Sequence, residues 1–114
     1  MDWSPVEKEE LEALIAEQLG GCDDRLVDIY RRIAVPLRRV PFHRLGATEY
    51  VFVIAEYESG VIYYEDVEDG FELGVIGPDG AILDGGCEQL SLCHVLVRLG
   101  SNNSLKPRTP DGAA

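Results

Sequence analysis

Hydrophobic residues recur at intervals of three and four near both ends of the chain, the spacing of one face of an α-helix. The first such segment runs to about residue 19, with Ser4 as its cap and Pro5 in the first helical position. The Gly20-Gly21 pair ends it. One face is apolar (Leu11, Leu14, Ile15, Leu19) and the other is acidic (Glu9, Glu10, Glu12, Glu17). This pattern predicts an amphipathic helix.

Two further helices are predicted from the same period. One begins with a cap at Asp23 or Asp24 and continues to a break around Pro36. Its buried positions are Leu26, Ile29, Tyr30 and Ile33. The other spans residues 88–99 and ends at Gly100. Its apolar positions suit packing on a sheet: Leu92, Cys93, Leu96 and Leu99.

Between the second and third helices the pattern changes to the β-branched and aromatic residues of strands. Residues 50–55 give the strongest strand signal, and the turn at 58–60 makes residues 61–64 their antiparallel partner. The remaining strand segments are a basic, apolar stretch from Val35, then residues 71–76, and residues 81–83 after a turn at 77–80. We therefore expect an antiparallel meander.

These elements predict one α+β domain over residues 1–100. It has two N-terminal helices, an antiparallel meander sheet of four to five strands and a C-terminal helix packed on the sheet. Residues 101–114 are polar, carry two prolines and lack an apolar period, so we expect a disordered tail. With 114 residues, 46% of them hydrophobic, the chain can form one core.

The net charge of −11 is unevenly distributed. Residues 1–28 carry −7 and residues 47–100 carry −10, whereas residues 29–46 carry +5 and residues 101–114 carry +1. A field this negative repels nucleic-acid phosphates and anionic lipid and attracts basic proteins. We therefore expect no direct nucleic-acid or membrane partner. A plain contribution to solubility is the alternative explanation of the charge.

The location predicted from the sequence is cytoplasmic. The N-terminus has no basic patch followed by an apolar run, and no apolar stretch approaches the roughly 18 residues of a membrane span. Cys22, Cys87 and Cys93 include no CxxC pair and leave one cysteine unmatched. That usage is more typical of a reducing compartment than of a disulfide framework.

The densest acidic cluster predicts a surface for binding a partner. Its carboxylates are Glu65, Asp66, Glu68 and Asp69. Exposed ion pairs contribute only about 0–1 kcal/mol each, so binding also needs aromatic anchors. Tyr63 and Tyr64 precede the cluster, and because strand residues alternate between faces, we expect one of the two rings on an open sheet face. The alternative is a solvated turn between strands.

Other chemistry is poorly supported by the residues. A calcium loop starting at Glu65 fails because Val67 and Ile76 occupy ligand positions, and no zinc spacing is present, so no metal or cofactor is predicted. Cys87 precedes a predicted helix, which could activate its thiol, but an inert buried cysteine is commoner. The chain has no Walker, GxGxxG, HExxH or GxSxG motif, and no catalytic residue is predicted.

A basic island is a candidate anion site. It contains Arg38, Arg39 and Arg44, with His43 beside them. The alternative is that these residues neutralise neighbouring acidic faces. Arg38 and Arg39 point to opposite sides of an extended segment, which weakens the prediction of a single pocket.

The aromatic strand from residue 50, the short turn, the acidic run to Gly70 and the GPDG turn before a last helix together resemble acidic α+β immunity proteins. Those proteins neutralise toxins delivered between competing bacteria. The resemblance covers about residues 30–100 and implies occlusion: the acidic surface would cap a basic toxin or nuclease site. It carries over no functional residue.

Three hypotheses remain open. The first is an immunity protein that binds a basic toxin or nuclease, and the second is a general interaction or regulatory module, which could form a homodimer through a sheet edge. The third is a small-ligand-binding domain or enzyme with a pocket between the open sheet face and the basic island.

Overall fold

A computed structural model describes residues 7–44, 46–58, 60–65, 70–85 and 90–101. The predicted α+β class and order of elements are confirmed. In chain order the elements are α1 (Lys8–Gly20), α2 (Asp24–Ile33), β1 (Ala34–Arg44), β2 (Ala47–Tyr57), β3 (Gly60–Glu65), β4 (Gly70–Ile76), β5 (Ile82–Gly85) and α3 (Leu92–Ser101). The predicted tail thus begins inside α3 at Ser101, and its residues 102–114 lie outside the described part.

The two N-terminal helices begin at acidic caps. Glu7 is the N-cap of α1, and the Glu7 and Glu10 carboxylates each accept a hydrogen bond from the other residue's backbone N–H. The predicted cap at Ser4 lies outside the described residues. Asp23 caps α2, as one of the two predicted alternatives had it, by accepting the Leu26 N–H at 3.0 Å.

The third helix begins four residues later than predicted, at Leu92. Ser91 is its cap, because the Ser91 hydroxyl accepts the His94 N–H at 3.2 Å. Just before it, Leu90 pairs with Phe71 of β4 through backbone hydrogen bonds of 2.8 and 3.2 Å. This pairing keeps the chain extended at Leu90, so the helix cannot start earlier.

The meander is confirmed, and the sheet also closes on itself. Each strand pairs antiparallel with the next one along the chain, and β5 returns to pair parallel with β1 at Phe42 and Ile82. Register shifts interrupt the β1–β2, β2–β3 and β4–β5 ladders. Because bulges increase strand twist and bending, they give the curvature that a small barrel requires. The result is a closed barrel of five strands.

Closure creates two hydrophobic cores. One fills the barrel and comprises Val40, Phe42, Val51, Val53, Val61, Tyr63 and Ile82. The other lies between the outer barrel wall and the helices: its wall residues are Phe52, Ile54, Ala55, Tyr57, Ile62, Tyr64 and Phe71, and its helical residues include Leu11, Ile29, Ile33, Leu92, Leu96 and Leu99. Both faces of β2 and β3 are therefore buried by apolar contacts.

The cysteine prediction is wrong for two of the three residues. Cys22 and Cys93 form a disulfide across 71 residues of sequence, with Cα atoms 5.5 Å apart. Sequence spacing gave no sign of it, because α1, α2 and α3 bring the two residues together only in the folded chain. The cysteines therefore give no support to a reducing compartment, and the cytoplasmic location stays a prediction. None of the described helices has both the length and the apolar character needed to cross a bilayer.

Gly60 is required at the start of β3. A Cβ added there would collide with the Gly74 carbonyl oxygen and approach the Tyr57 hydroxyl at 3.2 Å. We predict that Gly60→Ala lowers the free energy of unfolding by about 1–3 kcal/mol in urea denaturation. The control is Gly20→Ala, where nothing lies within 4 Å of the new Cβ. That change should be neutral or stabilise α1 by up to about 1 kcal/mol, and equal destabilisation by both variants would contradict the β3–β4 geometry.

Tyr30 joins α2 to β2 by donating a hydrogen bond to the Ile54 carbonyl at 3.4 Å. Burial raises the pKa of Tyr30 from 10.0 to about 12. Because the folded-state pKa is raised, the stability that this phenol contributes is complete below about pH 10 and is lost as the pH rises through about 12. We predict a loss of about 2–3 kcal/mol over that range. In urea denaturation at stepped pH, Tyr30→Phe should lose less stability there, and identical pH profiles would refute this role.

Candidate functional site

The tyrosines predicted to anchor a partner are both buried. Tyr63 has no exposed surface and packs inside the barrel against Phe42, with ring centroids 5.8 Å apart. Tyr64 is 4% exposed and packs against Phe71 in the outer core, at 5.1 Å between centroids. The expectation of an exposed ring is therefore wrong. Consecutive residues do point to opposite faces, but barrel closure covers one face and the helices cover the other.

The predicted acidic binding surface is not found among the described residues. Glu65 is 2% exposed, and Asp66, Glu68 and Asp69 lie outside the described residues. Glu72 is 4% exposed and lies directly opposite Tyr63 in the β3–β4 ladder. Strand alternation places Glu65 and Glu72 on the face of Tyr63, toward the barrel interior. Because both residues are almost fully buried, they belong to the interior of the fold and not to a docking surface.

Sequence reasoning missed the burial of Glu72. The alternation of residues 71–76 predicted a half-buried strand, in which a glutamate between two apolar residues faces water. The glycines Gly70 and Gly74 flank Glu72 on the same interior side of β4. They are a sequence signal for a crowded face, since glycine in a strand marks a close approach of neighbouring groups.

The basic island does not converge on one described pocket. The Arg38 guanidinium binds the Glu56 carboxylate at 2.8 Å, on the side of β1 that continues into the barrel. Arg39 lies on the other side, 4.2 Å from the centroid of the Phe52 ring, and donates to the Tyr50 carbonyl at 3.4 Å. The side chain of Arg44 is outside the described part. The two described arginines thus face different ways, as strand alternation predicted, and the anion site stays a prediction.

The largest described concentration of exposed negative charge is on α1. Its outward surface carries Glu9, Glu10, Glu12 and Glu17, the cap Glu7 is also exposed, and Lys8 is the single basic residue of the helix. At about 100° per residue, Glu9 and Glu12 lie on one flank with Ala16 between them, Glu10 and Glu17 lie on the other, and Ala13 separates the two pairs. The helical period predicts this acidic face but assigns no function to it. The signal in the sequence that could have indicated a function is the net charge of −7 over residues 1–28.

A small cavity lies between α2 and α3. Its volume is about 140 Å³. Leu26, Ile29, Leu96 and Val97 form its apolar lining, with Asp23 and Arg25 among the polar lining residues. Val97 is 49% exposed, unusual for a valine on a helix that otherwise packs on a core. The cavity can accept one apolar side chain.

Three of the four large hydrophobic residues exposed in the described part lie on the barrel: Tyr50, Val75 and Leu83, on β2, β4 and β5. They lie outside the core that the helices cover. Pairing of β5 with β1 leaves fewer free sheet edges than an open meander would, which weakens the predicted route to a homodimer.

No catalytic or metal centre emerges from the described residues. They contain no group of three or more His, Cys, Asp or Glu side chains suited to a metal ion. His43 contacts Thr48 at 2.9 Å and lies 3.7 Å from the Asp79 carboxylate, an arrangement at an exposed turn. Cys87, considered above as a nucleophile, lies outside the described residues.

Comparison with known proteins gives no relative. No known protein family matches the chain, and neither a curated protein nor a solved structure is significantly similar to it. The resemblance to immunity proteins therefore stays a prediction.

Proposed function

We propose that this chain is a non-enzymatic protein-binding domain that uses the acidic face of α1 to bind a basic partner. The observation that carries the proposal is the exposure of five carboxylates on α1 and its cap beside a single lysine, while Glu65 and Glu72 are withdrawn into the barrel. A concentrated negative face of this kind speeds the encounter with a positive surface and orients it.

Charge alone would give weak binding, since exposed ion pairs contribute only about 0–1 kcal/mol each. The α2–α3 cavity supplies a complementary feature. An apolar side chain of the partner could enter it and contact Val97 and Leu96. Basic residues elsewhere on the partner would then meet the carboxylates of α1. Interfaces commonly combine a buried anchor of this type with a charged rim.

The partner class we propose is a basic toxin or nuclease, which the domain would inhibit by occluding its cationic site. Supporting this are the net charge of −11 and the resemblance in residues 30–100. A general interaction module would use the same surface with a different basic partner. The α2–α3 cavity does not itself support a small-ligand domain, because its volume of about 140 Å³ is smaller than the roughly 300–1,000 Å³ of ligand pockets.

The test compares matched charge reversals. Glu12→Lys and Glu58→Lys each change the net charge by the same amount at an exposed glutamate, but Glu58 lies in the β2–β3 turn instead of on α1. Each tagged variant would be used to capture partners from lysate of the native cells, and the affinity for the recovered protein would be measured at low salt and at about 0.5 M salt.

We predict that the wild-type chain captures a basic protein and that Glu12→Lys weakens this binding roughly 3- to 10-fold at low salt. The triple variant Glu9→Lys/Glu12→Lys/Glu17→Lys should abolish capture, whereas Glu58→Lys should change the affinity by less than about twofold. High salt should reduce the difference between the variants. Equal weakening by Glu12→Lys and Glu58→Lys would show that only net charge matters and would contradict the role of α1.

A further inference from the structure

The acidic helix is fastened to the rest of the molecule at one end. Cys22 lies in the corner between α1 and α2, and its disulfide reaches Cys93 in the first turn of α3. Beside it, the Gln18 side-chain oxygen accepts the Leu92 N–H at 2.6 Å. One covalent bond and one hydrogen bond thus join the C-terminal end of α1 to the N-terminal end of α3.

Apart from this fastening, α1 has few fully buried contacts. Leu11 and Ile15 are its buried residues, with Leu14 and Leu19 partly buried. The main packing partner of α1 is α3, whereas α2 and α3 also pack on the barrel strands β2 and β4. An isolated helix of 13 residues is marginal in water, so the stability of α1 depends on how firmly it is held against α3.

The disulfide is open to thiol chemistry. Both cysteines are partly exposed while also packing against the outer core, and we expect a small dissolved thiol to reach the disulfide. Cys93 is the second residue of α3, where the backbone N–H groups and the helix dipole stabilise a thiolate. The sulfur that becomes the more stable thiolate is the better leaving group, which directs an attacking thiolate to Sγ of Cys22.

We infer that the Cys22–Cys93 disulfide is a thiol-exchange site that controls the attachment of α1. A thiolate of a reducing thiol attacks Sγ of Cys22, and the S–S bond breaks to give a mixed disulfide at Cys22 and a thiolate at Cys93. A second reducing thiolate then attacks the reductant's sulfur in the mixed disulfide and releases Cys22 as a thiolate. The protein disulfide gains two electrons and, after protonation, becomes two thiols, while two reductant thiols become one disulfide.

Reduction leaves α1 held by the Gln18 hydrogen bond and its apolar contacts, so we expect α1 to open locally while the barrel stays folded. This inference does not depend on the proposed function. If α1 also carries the binding face, reduction would weaken the affinity for a basic partner as a second consequence.

The experiment uses the full chain with Cys87→Ser, so that the described pair are the remaining cysteines. If that variant fails to fold, the oxidised wild-type chain with Cys87 alkylated replaces it. Intact mass under non-reducing conditions should show the loss of two hydrogens, and a fully reduced mass after air oxidation would overturn the inference. Amide hydrogen exchange is then compared with and without dithiothreitol.

We predict that reduction speeds exchange in residues 8–20 at least tenfold and leaves β2 and β3 unchanged. The double variant Cys22→Ser/Cys93→Ser should show the hydrogen-exchange pattern of the reduced protein, and dithiothreitol should not change that pattern. Unchanged exchange in α1 would overturn the inference. An equal increase throughout the barrel would also overturn it, because the disulfide would then stabilise the whole fold and not α1 in particular. With limiting glutathione the adduct should form on Cys22, and an adduct mainly on Cys93 would refute the direction of attack.

Discussion

The pairing of β5 with β1 is the constraint on which the rest of the structure depends. It converts an antiparallel meander, which would have one covered and one solvated face, into a barrel whose inner face is filled by its own side chains. The outer wall of β2 to β4 then serves as the platform for the three described helices. The large aromatic side chains of β3 are buried on both sides for this reason.

The three helices of this layer differ in their packing partners. The α2 and α3 helices pack on the barrel, and Tyr30 bonds to the backbone of β2. The α1 helix packs on α3, and its outward face carries four glutamates and one lysine. A helix with few apolar contacts and a dense negative charge needs an external fastening, and the Cys22–Cys93 disulfide provides it next to the Gln18–Leu92 hydrogen bond.

Much of the fold follows from local sequence signals. The apolar stripes of α1 and α2, the Asp23 cap and the turn at residues 58–60 act over a few residues, so the sequence reports them directly. The Ser91 cap is also a local signal, because serine is a common N-cap residue. The apolar spacing, however, continues on the N-terminal side of Ser91 and predicts a helix start at residue 88. Residues 51–55 form an uninterrupted apolar run, and Tyr63 and Tyr64 are adjacent in the sequence. Such runs are typical of strands covered on both faces, and residues 51–55 are indeed all buried.

The candidate site was harder to predict because it depends on long-range contacts. Strand alternation separates two faces but does not say what covers each of them, so Tyr63, Tyr64 and Glu65 were assigned to a surface that closure buries. The Cys22–Cys93 pairing depends on the approach of α3 to the α1–α2 corner, which no local pattern encodes. The charge, by contrast, is a local property: the excess of carboxylates in residues 1–28 corresponds to the exposed acidic face of α1.

Closure of the sheet buries one face of β3 and the helices bury the other, and chemical nitration of the five tyrosines is the sharpest check on this arrangement. Tyr50 is 56% exposed, whereas Tyr30, Tyr57, Tyr63 and Tyr64 are each at most 8% exposed. Limited treatment of the native protein with tetranitromethane, followed by peptide mass spectrometry, should find the modification on Tyr50 alone, and all five tyrosines should react after unfolding. Nitration of Tyr63 in the folded chain would show that the sheet is open, and nitration of Tyr64 would show that the helices do not cover the outer wall of the barrel; either result would contradict this arrangement.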